Sequence, residues 1–208
     1  MPTVLVTGFE PFGDERENPS ARAAKLAAAE LARAGFDAHS AVLPVSFKRC
    51  REALAQLLGR WKPDAAVALG LASGVTHVRL ERVAINLADA GGPDNDGAQP
   101  VDEPIDPQGP TAYFSTLPLR RILERLKGEG VPAAISNSAG TFLCNYAMYL
   151  LLRRADLYGY PRRAGFIHLP YTPEIASKKP GPPPSLPLGM QVRAAVVAVE
   201  EAAASLTL

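Results

Sequence analysis

The segment TVLVT at residues 3–7, followed by NPSARAAKLAAAELARAG at 18–35 and DAHSAVL at 37–43, decides the fold. The first and last pieces are short and rich in β-branched or apolar residues, which predicts two strands. Between them, Asn18 suits the N-cap of a helix and Pro19 its first position, and Gly35 ends an alanine-rich helical run that reaches about Ala34. A strand, a helix and a strand in this order favour a parallel sheet covered by helices.

The same alternation continues along the chain. Helical patterns cover residues 47–61, 119–130, 145–156 and 188–204, strand-like runs cover 65–69, 133–136 and 164–169, and the run 78–87 fits a strand pair or one bent strand. Gly70 closes the run 65–69, the segment 88–110 is a long irregular loop, and 171–187 is a Pro-rich surface arm. The pattern predicts an α/β protein: a three-layer α/β/α sandwich around a mostly parallel twisted sheet, in a single domain spanning 1–208.

Composition and charge exclude several classes of protein. The net charge of +1 creates no field that would attract nucleic acid or an anionic membrane. The two cysteines form no CxxC or CxxxC pair and fit free thiols in a reducing compartment. The start MPTVLVTGFEPFG lacks a basic segment followed by a long apolar run, and no stretch approaches the roughly 18 apolar residues of a membrane span. We therefore expect a cytoplasmic protein.

Cys144, in SAGTFLCN at 138–145, lies where a glycine-bearing loop gives way to an apolar helical run. At that position a thiol faces the positive end of a helix dipole, which favours a thiolate nucleophile. Most free cysteines are instead small buried hydrophobic residues. Cys50 fits that description better, because it shares one face of a predicted helix with Phe47 and Leu54. Cys144 is therefore the candidate nucleophile.

His168 ends a predicted strand and is followed two residues later by Pro170. Ligands of open α/β sheets bind outside the carboxyl ends of the strands, so a histidine there can act as general base toward a thiol. His39, in an early strand beside Asp37, suits a structural role, and His77 suits a loop. The three histidines have neither HxxxH nor HxH spacing, so we predict no metal site.

A Cys–His pair works better with a third group that orients the imidazole, and Glu81 is a candidate for it. Glu81 lies in RLERVAIN at 79–86, among residues of strand-like character. If it faces inward it must be paired or catalytic, and if it faces outward it is a solvated edge charge; the sequence leaves both possibilities open. The competing residues Asp89, Asp94 and Asp96 lie in a Gly- and Pro-rich loop and suit turns.

The segment GFEPFG at 8–13 has the glycine spacing of a phosphate loop but lacks the Lys-Ser/Thr that should follow it. Glu10 and Asp14 would also repel an anion, so phosphate binding is not predicted. Phe9 and Phe12 leave the carboxyl end of the first predicted strand. They either anchor the loop to the core or form the walls of a slot for a flat, uncharged ligand.

Together these pieces resemble the pyroglutamyl peptidase I family, also called the pyrrolidone-carboxylate peptidases, which are cysteine peptidases. The motifs that carry the resemblance are VTGFEPFG with Asn18-Pro19-Ser20, LERVAIN, PDNDGAQPVD, GPTAYFSTLP, SAGTFLCN and GFIHLPY. The resemblance covers nearly the whole chain. Several separated motifs in one order are far more specific than a lone Cys–His pair.

The resemblance implies that Cys144 is the nucleophile, His168 the general base and later the acid, and Glu81 the group that orients the imidazole. It implies removal of an N-terminal pyroglutamyl residue from peptides through an acyl-enzyme, without a metal or cofactor, by a homodimer or homotetramer. Neither nucleic acid nor a membrane is expected as a partner. The implied substrate-binding residues, which would enclose a neutral lactam ring and pair with its polar atoms, are Phe9, Phe12, Asn18, Leu71, Phe142 and Leu143.

The chain departs from the family's common pattern at two positions. Leu71 stands where Gln is common, and Gly91 stands where an Arg near the reaction centre is common. Two alternatives therefore stay open beside the peptidase. One is a thiol amidase that acts on another small acyl or lactam group, and the other is a non-catalytic relative that binds pyroglutamyl peptide ends.

Overall fold

The fold is a twisted six-stranded sheet between two layers of helices. The computed structural model describes residues 1–206. Its elements are β1 Thr3–Phe9, α1 Pro19–Arg33, β2 Asp37–Leu43, α2 Phe47–Trp61, β3 Ala65–Leu71, β4 Val78–Glu81, β5 Val83–Ile85, β6 Ala112–Phe114, α3 Leu119–Gly128, β7 Ala133–Ser136, α4 Leu143–Tyr158, β8 Arg163–Leu169, α5 Pro173–Ala176 and α6 Leu188–Ala204. The strand order is β2-β1-β3-β8-β4-β7, and β5 pairs with β6 in a separate two-stranded sheet.

Strand direction decides which residues meet at the edge of the sheet. Strands β2, β1, β3 and β8 are parallel, so their carboxyl ends lie together. Strand β4 runs antiparallel to β8, and β7 is parallel to β4. The prediction of an α/β fold with a mostly parallel sheet is confirmed.

The first helix forms as its sequence predicts. Asn18 has an extended backbone, its side chain accepts a hydrogen bond from the Ser20 N–H, and Pro19 occupies the first helical position. Gly35 follows the helix with φ +93°, a conformation that glycine adopts without strain. The helix thus begins and ends where its capping residues indicate.

Helices cover both faces of the sheet. Buried side chains of α1, α3 and α6 share one apolar cluster with one face, including Leu31, Ile122 and Val196. Side chains of α2 and α4 share a second cluster with the other face, including Leu54 and Tyr149. Each fully buried side chain of this kind contributes about 1.5–3 kcal/mol to stability. The three-layer arrangement is therefore confirmed.

Three boundaries differ from the sequence prediction. Strand β3 continues through Gly70 to Leu71 instead of closing at the glycine. The run 78–87 forms two strands in two different sheets, with Arg82 between them. Helix α4 begins at Leu143, two residues before the predicted start, so Cys144 lies inside its first turn.

The Pro-rich segment 171–187 is only partly a surface arm. It contains the short helix α5, and Tyr171, Ile175 and Leu186 are buried. Its two ends are joined, because the Leu186 N–H donates to the Tyr171 carbonyl and the buried Gln191 amide donates to both residues' carbonyls. The prediction of a surface arm was wrong for these ends, which apolar residues anchor. None of the helices within residues 1–206 combines the length and apolarity that crossing a membrane requires.

Candidate active site

The start of α4 presents Cys144 to the carboxyl edge of the sheet. Gly140 turns the preceding loop with φ +77°, and Phe142 forms the N-cap in an extended conformation. Among residues 1–206 no side chain caps this end of the helix, so its first N–H groups are available to a ligand. The thiol therefore lies beside unpaired backbone donors and the positive end of the helix dipole.

His168 and Glu81 form a buried pair. The His168 Nδ1 lies 2.8 Å from the Glu81 Oε1, and the two residues are 8% and 0% exposed. Because a carboxylate can only accept, Nδ1 carries the proton of this hydrogen bond and Nε2 is left for another partner. Of the two possibilities left open for Glu81, the structure has the inward-facing, paired one.

Cys144 is the second side chain that acts on the imidazole. It lies close enough to His168 to raise the pKa of the ring. Burial lowers the pKa of His168, but the nearby Cys144 and Glu81 side chains outweigh burial and raise the pKa to about 9. One imidazole therefore lies between the influence of a thiol and a hydrogen bond to a buried carboxylate.

Gly70 makes room for the sulfur. It lies opposite His168 in the ladder between β3 and β8. A Cβ at this position would lie 2.9 Å from the Cys144 Sγ and 2.6 Å from the Phe166 Cζ, closer than real Cβ contacts. The absence of a side chain at Gly70 is therefore a condition for the position of the thiol.

Cys50 differs from Cys144 as the sequence indicates. It is completely buried in α2, among the apolar residues of the second cluster. Burial, together with the nearby Cys144, raises the pKa of the Cys50 thiol to about 12 against the opposing effect of Arg51. Cys50 therefore stays a neutral core thiol.

A narrow, mostly apolar cavity of about 20 Å³ opens beside Cys144. The residues that line it are Phe9, Phe12, Asn18, Val45, Leu71, Phe142, Leu143 and Cys144. All six residues predicted from the sequence to bind substrate are in this set. In this structure the cavity has room for about one water molecule.

The loop that carries Phe12 is held at both ends by side-chain hydrogen bonds. Its far end is tied down by Glu15, whose Oε1 accepts hydrogen bonds from the Tyr171 hydroxyl and the Lys179 ammonium. Asn18 holds its near end, because the Asn18 amide donates to the Glu10 carbonyl at 3.1 Å. The Asn18 Oδ1 meanwhile caps α1.

Two positioning residues were missed by the sequence analysis. Besides Gly70, the buried Asn145 makes three hydrogen bonds to the Ile85 and Leu87 backbone and so fixes the chain after Glu81 to the first turn of α4. An asparagine directly after the candidate nucleophile, in an apolar helix, was the signal that could have found it. Val45, also missed, adds an apolar wall to the cavity.

The other predicted groups lie elsewhere. His39 contacts Asp37 and stacks on Trp61, and His77 lies in the loop before β4. Asp94 accepts hydrogen bonds from three backbone N–H groups, in keeping with a turn. Within residues 1–206 no group of three or more His, Cys, Asp or Glu side chains is placed to hold a metal ion.

Comparison with known proteins identifies the family. A family model described as pyroglutamyl peptidase matches residues 2–205. The chain belongs to the pyroglutamyl peptidase family. It is 49% identical to the pyrrolidone-carboxylate peptidase of Pyrococcus furiosus over 203 residues, which are 96% of this chain and 97% of that protein. It is 50% identical to that of Chromobacterium violaceum over 181 residues, or 87% and 83% of the two chains.

Solved structures of this family have the same fold. A mutant pyrrolidone carboxyl peptidase from Pyrococcus furiosus superposes with a TM-score of 0.94 at 46% identity, covering 98% of this chain and 99% of that one. The pyroglutamyl peptidase family consists of cysteine-type hydrolases. A cysteine near a His–Glu pair is an arrangement that can activate a thiol nucleophile.

Proposed function

We propose that this protein is a cysteine exopeptidase that removes an N-terminal pyroglutamyl residue from peptides, with Cys144 as nucleophile, His168 as base and acid, and Glu81 as the orienting carboxylate. The observation that carries the proposal is a thiol at the start of α4 that raises the pKa of an imidazole whose Nδ1 is 2.8 Å from a fully buried carboxylate. Family membership supports the substrate class.

The cavity supports a neutral, flat substrate. Apart from Cys144, none of the residues that line it carries an ionisable side chain. An ordinary free amino terminus would need a carboxylate to bind its ammonium, whereas a lactam ring needs apolar walls and a few hydrogen bonds. The rings of Phe12 and Phe142, with centroids 6.4 Å apart, provide two of these walls.

The first step forms the acyl-enzyme. The Cys144 thiolate attacks the carbonyl carbon of the pyroglutamyl residue, a C–S bond forms, and the carbonyl oxygen takes the negative charge. The unpaired N–H groups at the start of α4 are the donors that stabilise this oxygen. His168 then gives its proton to the leaving nitrogen as the C–N bond breaks.

The second step releases pyroglutamate. His168, now neutral, takes a proton from a water molecule that attacks the thioester, and the C–S bond breaks as the thiolate is restored. Glu81 keeps the imidazole in one tautomer and one orientation through both steps, and it stabilises the imidazolium each time the ring is protonated.

A pyroglutamyl amide that carries a fluorescent amine tests the proposal. The reduced wild type should release the amine, and Cys144→Ala should abolish release while the protein stays folded. Cys50→Ala is the matched control, because it removes the other thiol from the core and should keep turnover. Iodoacetamide should label Cys144 and leave the buried Cys50 unlabelled in the folded protein.

The same measurement separates the alternatives. Comparable kcat/KM values for differently blocked amides would indicate a broader thiol amidase. Binding of pyroglutamate without turnover would indicate a non-catalytic relative. Either result would contradict the proposed function.

We also propose a homo-oligomer located in the cytoplasm. Phe114, Leu157 and Tyr158 are 71%, 55% and 58% exposed, and such large apolar side chains gain from being covered by a second copy. A solution mass by light scattering equal to that of one chain would contradict the assembly.

A further inference from the structure

The order of the strands gives the bound peptide a direction across the sheet. The walls of the cavity come from the ends of β1 and β3 and from the start of α4, whereas His168 belongs to β8 and Glu81 to β4. Since the sheet order is β1-β3-β8-β4, the reaction centre lies between the ring cavity and β4. His168 must reach the leaving nitrogen, so the leaving peptide extends over β8 toward β4.

Arg79 is a basic residue that lies where the leaving peptide would cross from β8 to β4. It lies directly opposite His168 in the antiparallel ladder between β4 and β8. Directly opposed residues of such a ladder point to the same face of the sheet, so Arg79 shares the face that carries His168 and Glu81. Because β4 is reversed, Glu81 lies deeper, opposite Phe166, and is fully buried, whereas Arg79 lies at the rim and is partly exposed.

The guanidinium of Arg79 is available to a ligand as far as the described part of the chain shows. Among residues 1–206 it has no hydrogen-bond or ion-pair partner. The carboxylate closest to it in sequence, Glu81, is bound to His168 instead. A planar guanidinium with five donors matches a carboxylate, which it can bind through two parallel hydrogen bonds.

We propose that Arg79 forms a subsite on the leaving side of the reaction centre that binds a carboxylate of the peptide following the pyroglutamyl residue. This proposal rests on the proposed function. The carboxylate comes either from the C-terminus of a pyroglutamyl dipeptide or from an acidic side chain next to the cleaved bond. Arg79 acts on binding and leaves the bond-breaking steps to Cys144 and His168.

Three substrates distinguish these sources: pyroglutamyl-alanine, its C-terminal amide, and pyroglutamyl-aspartate as its C-terminal amide. The kcat/KM of wild type should be higher for at least one of the two acidic substrates than for the alanine amide. Arg79→Gln should lower that value about fivefold while the alanine amide changes less than twofold, and Arg79→Lys should retain only part of it because an ammonium cannot form the two parallel hydrogen bonds. Loss confined to the dipeptide assigns the terminal carboxylate, and loss confined to the aspartyl amide assigns the side chain.

Arg82→Gln is the matched control, since Arg82 is also partly exposed, lies outside β4 and makes no side-chain ion pair with the described residues. It should leave all three kcat/KM values unchanged. An equal loss on every substrate in Arg79→Gln, or an unchanged ratio between acidic and neutral substrates, would overturn the proposal. If wild type cleaves none of the three, the proposed function itself fails instead.

Discussion

Replacing Gly70 by alanine tests whether the missing side chain at this position of β3 fixes the position of the Cys144 thiol, the proposed nucleophile. The new Cβ would lie 2.9 Å from the Cys144 Sγ and 2.6 Å from the Phe166 Cζ, whereas ordinary contact begins at 3.4 Å. The sulfur must therefore shift by about 0.5 Å and the ring by somewhat more. Misplacing a reacting group by about 1 Å lowers rates by about 10²-fold, so we expect kcat to fall between about tenfold and a hundredfold.

Stability should change less than activity in Gly70→Ala. Overpacking of a core by one methyl group costs about 1–3 kcal/mol, part of which is offset because alanine favours an ordered backbone. Kinetics on a pyroglutamyl amide and urea unfolding of the same preparation measure the two effects separately. Gly59→Ala is the matched control, since a Cβ there meets only the end of the Arg154 side chain at 3.9 Å.

A second substitution separates the two contacts of the new methyl group. Phe166→Leu in the Gly70→Ala background removes the ring atom nearest the Cβ but leaves the contact with Cys144. The double variant should have a higher free energy of unfolding than Phe166→Leu alone, and its kcat should stay below that of Phe166→Leu. Wild-type kcat and wild-type alkylation of Cys144 in a folded Gly70→Ala protein would refute the argument that this glycine positions the thiol.

Three further perturbations follow from the contacts of the site. Glu81→Gln keeps the shape but offers a neutral group to the imidazole, so kcat should fall about 10²–10⁴-fold with little change in KM; an unchanged kcat would remove Glu81 from the mechanism. The pKa of His168 is raised from 6.5 to about 9, so its contribution to stability is present below pH 6.5 and is lost as pH rises to 9. Urea unfolding of wild type relative to His168→Asn should show this loss, on the order of 3 kcal/mol, and parallel pH profiles would contradict it. Asn145→Ala removes three hydrogen bonds made by a buried side chain and should lower the free energy of unfolding by about 2–4 kcal/mol, whereas an unchanged denaturant midpoint would show that they contribute little.

The sequence predicted well those features that depend on local chemistry. The cap at Asn18, the glycine after α1 and the apolar periodicity of α2 determine their elements without help from the rest of the chain. The comparison of Cys144 with Cys50 also succeeded, because helix periodicity alone distinguishes a core position from a helix start.

Features that depend on tertiary contact could not be predicted in the same way. Gly70 has the sequence signature of a strand terminator, yet it continues β3 because the neighbouring sulfur and ring fill the space of its missing side chain. Asn145 looks like a poor residue for an apolar helix until its partners, the Ile85 and Leu87 backbone, are placed beside it. Both residues act across distances in sequence that periodicity does not span.

The reversed strand β4 explains how a carboxylate can be buried and still orient a histidine at the edge of the sheet. Glu81 is paired with Phe166, one step inward from His168 on the same face, so it reaches the imidazole diagonally. A one-residue change of register would turn Glu81 to the opposite face and leave a charge buried among the apolar residues of the other cluster. Two features therefore fix the register of β4. One is the burial of the apolar residues that alternate with Glu81, such as Leu80, and the other is the hydrogen bond between Glu81 and His168. If β4 were parallel and Glu81 stood at its carboxyl end, the carboxylate would lie at the solvent-facing edge of the sheet. Water there would weaken the electrostatic interaction between the carboxylate and a protonated imidazole.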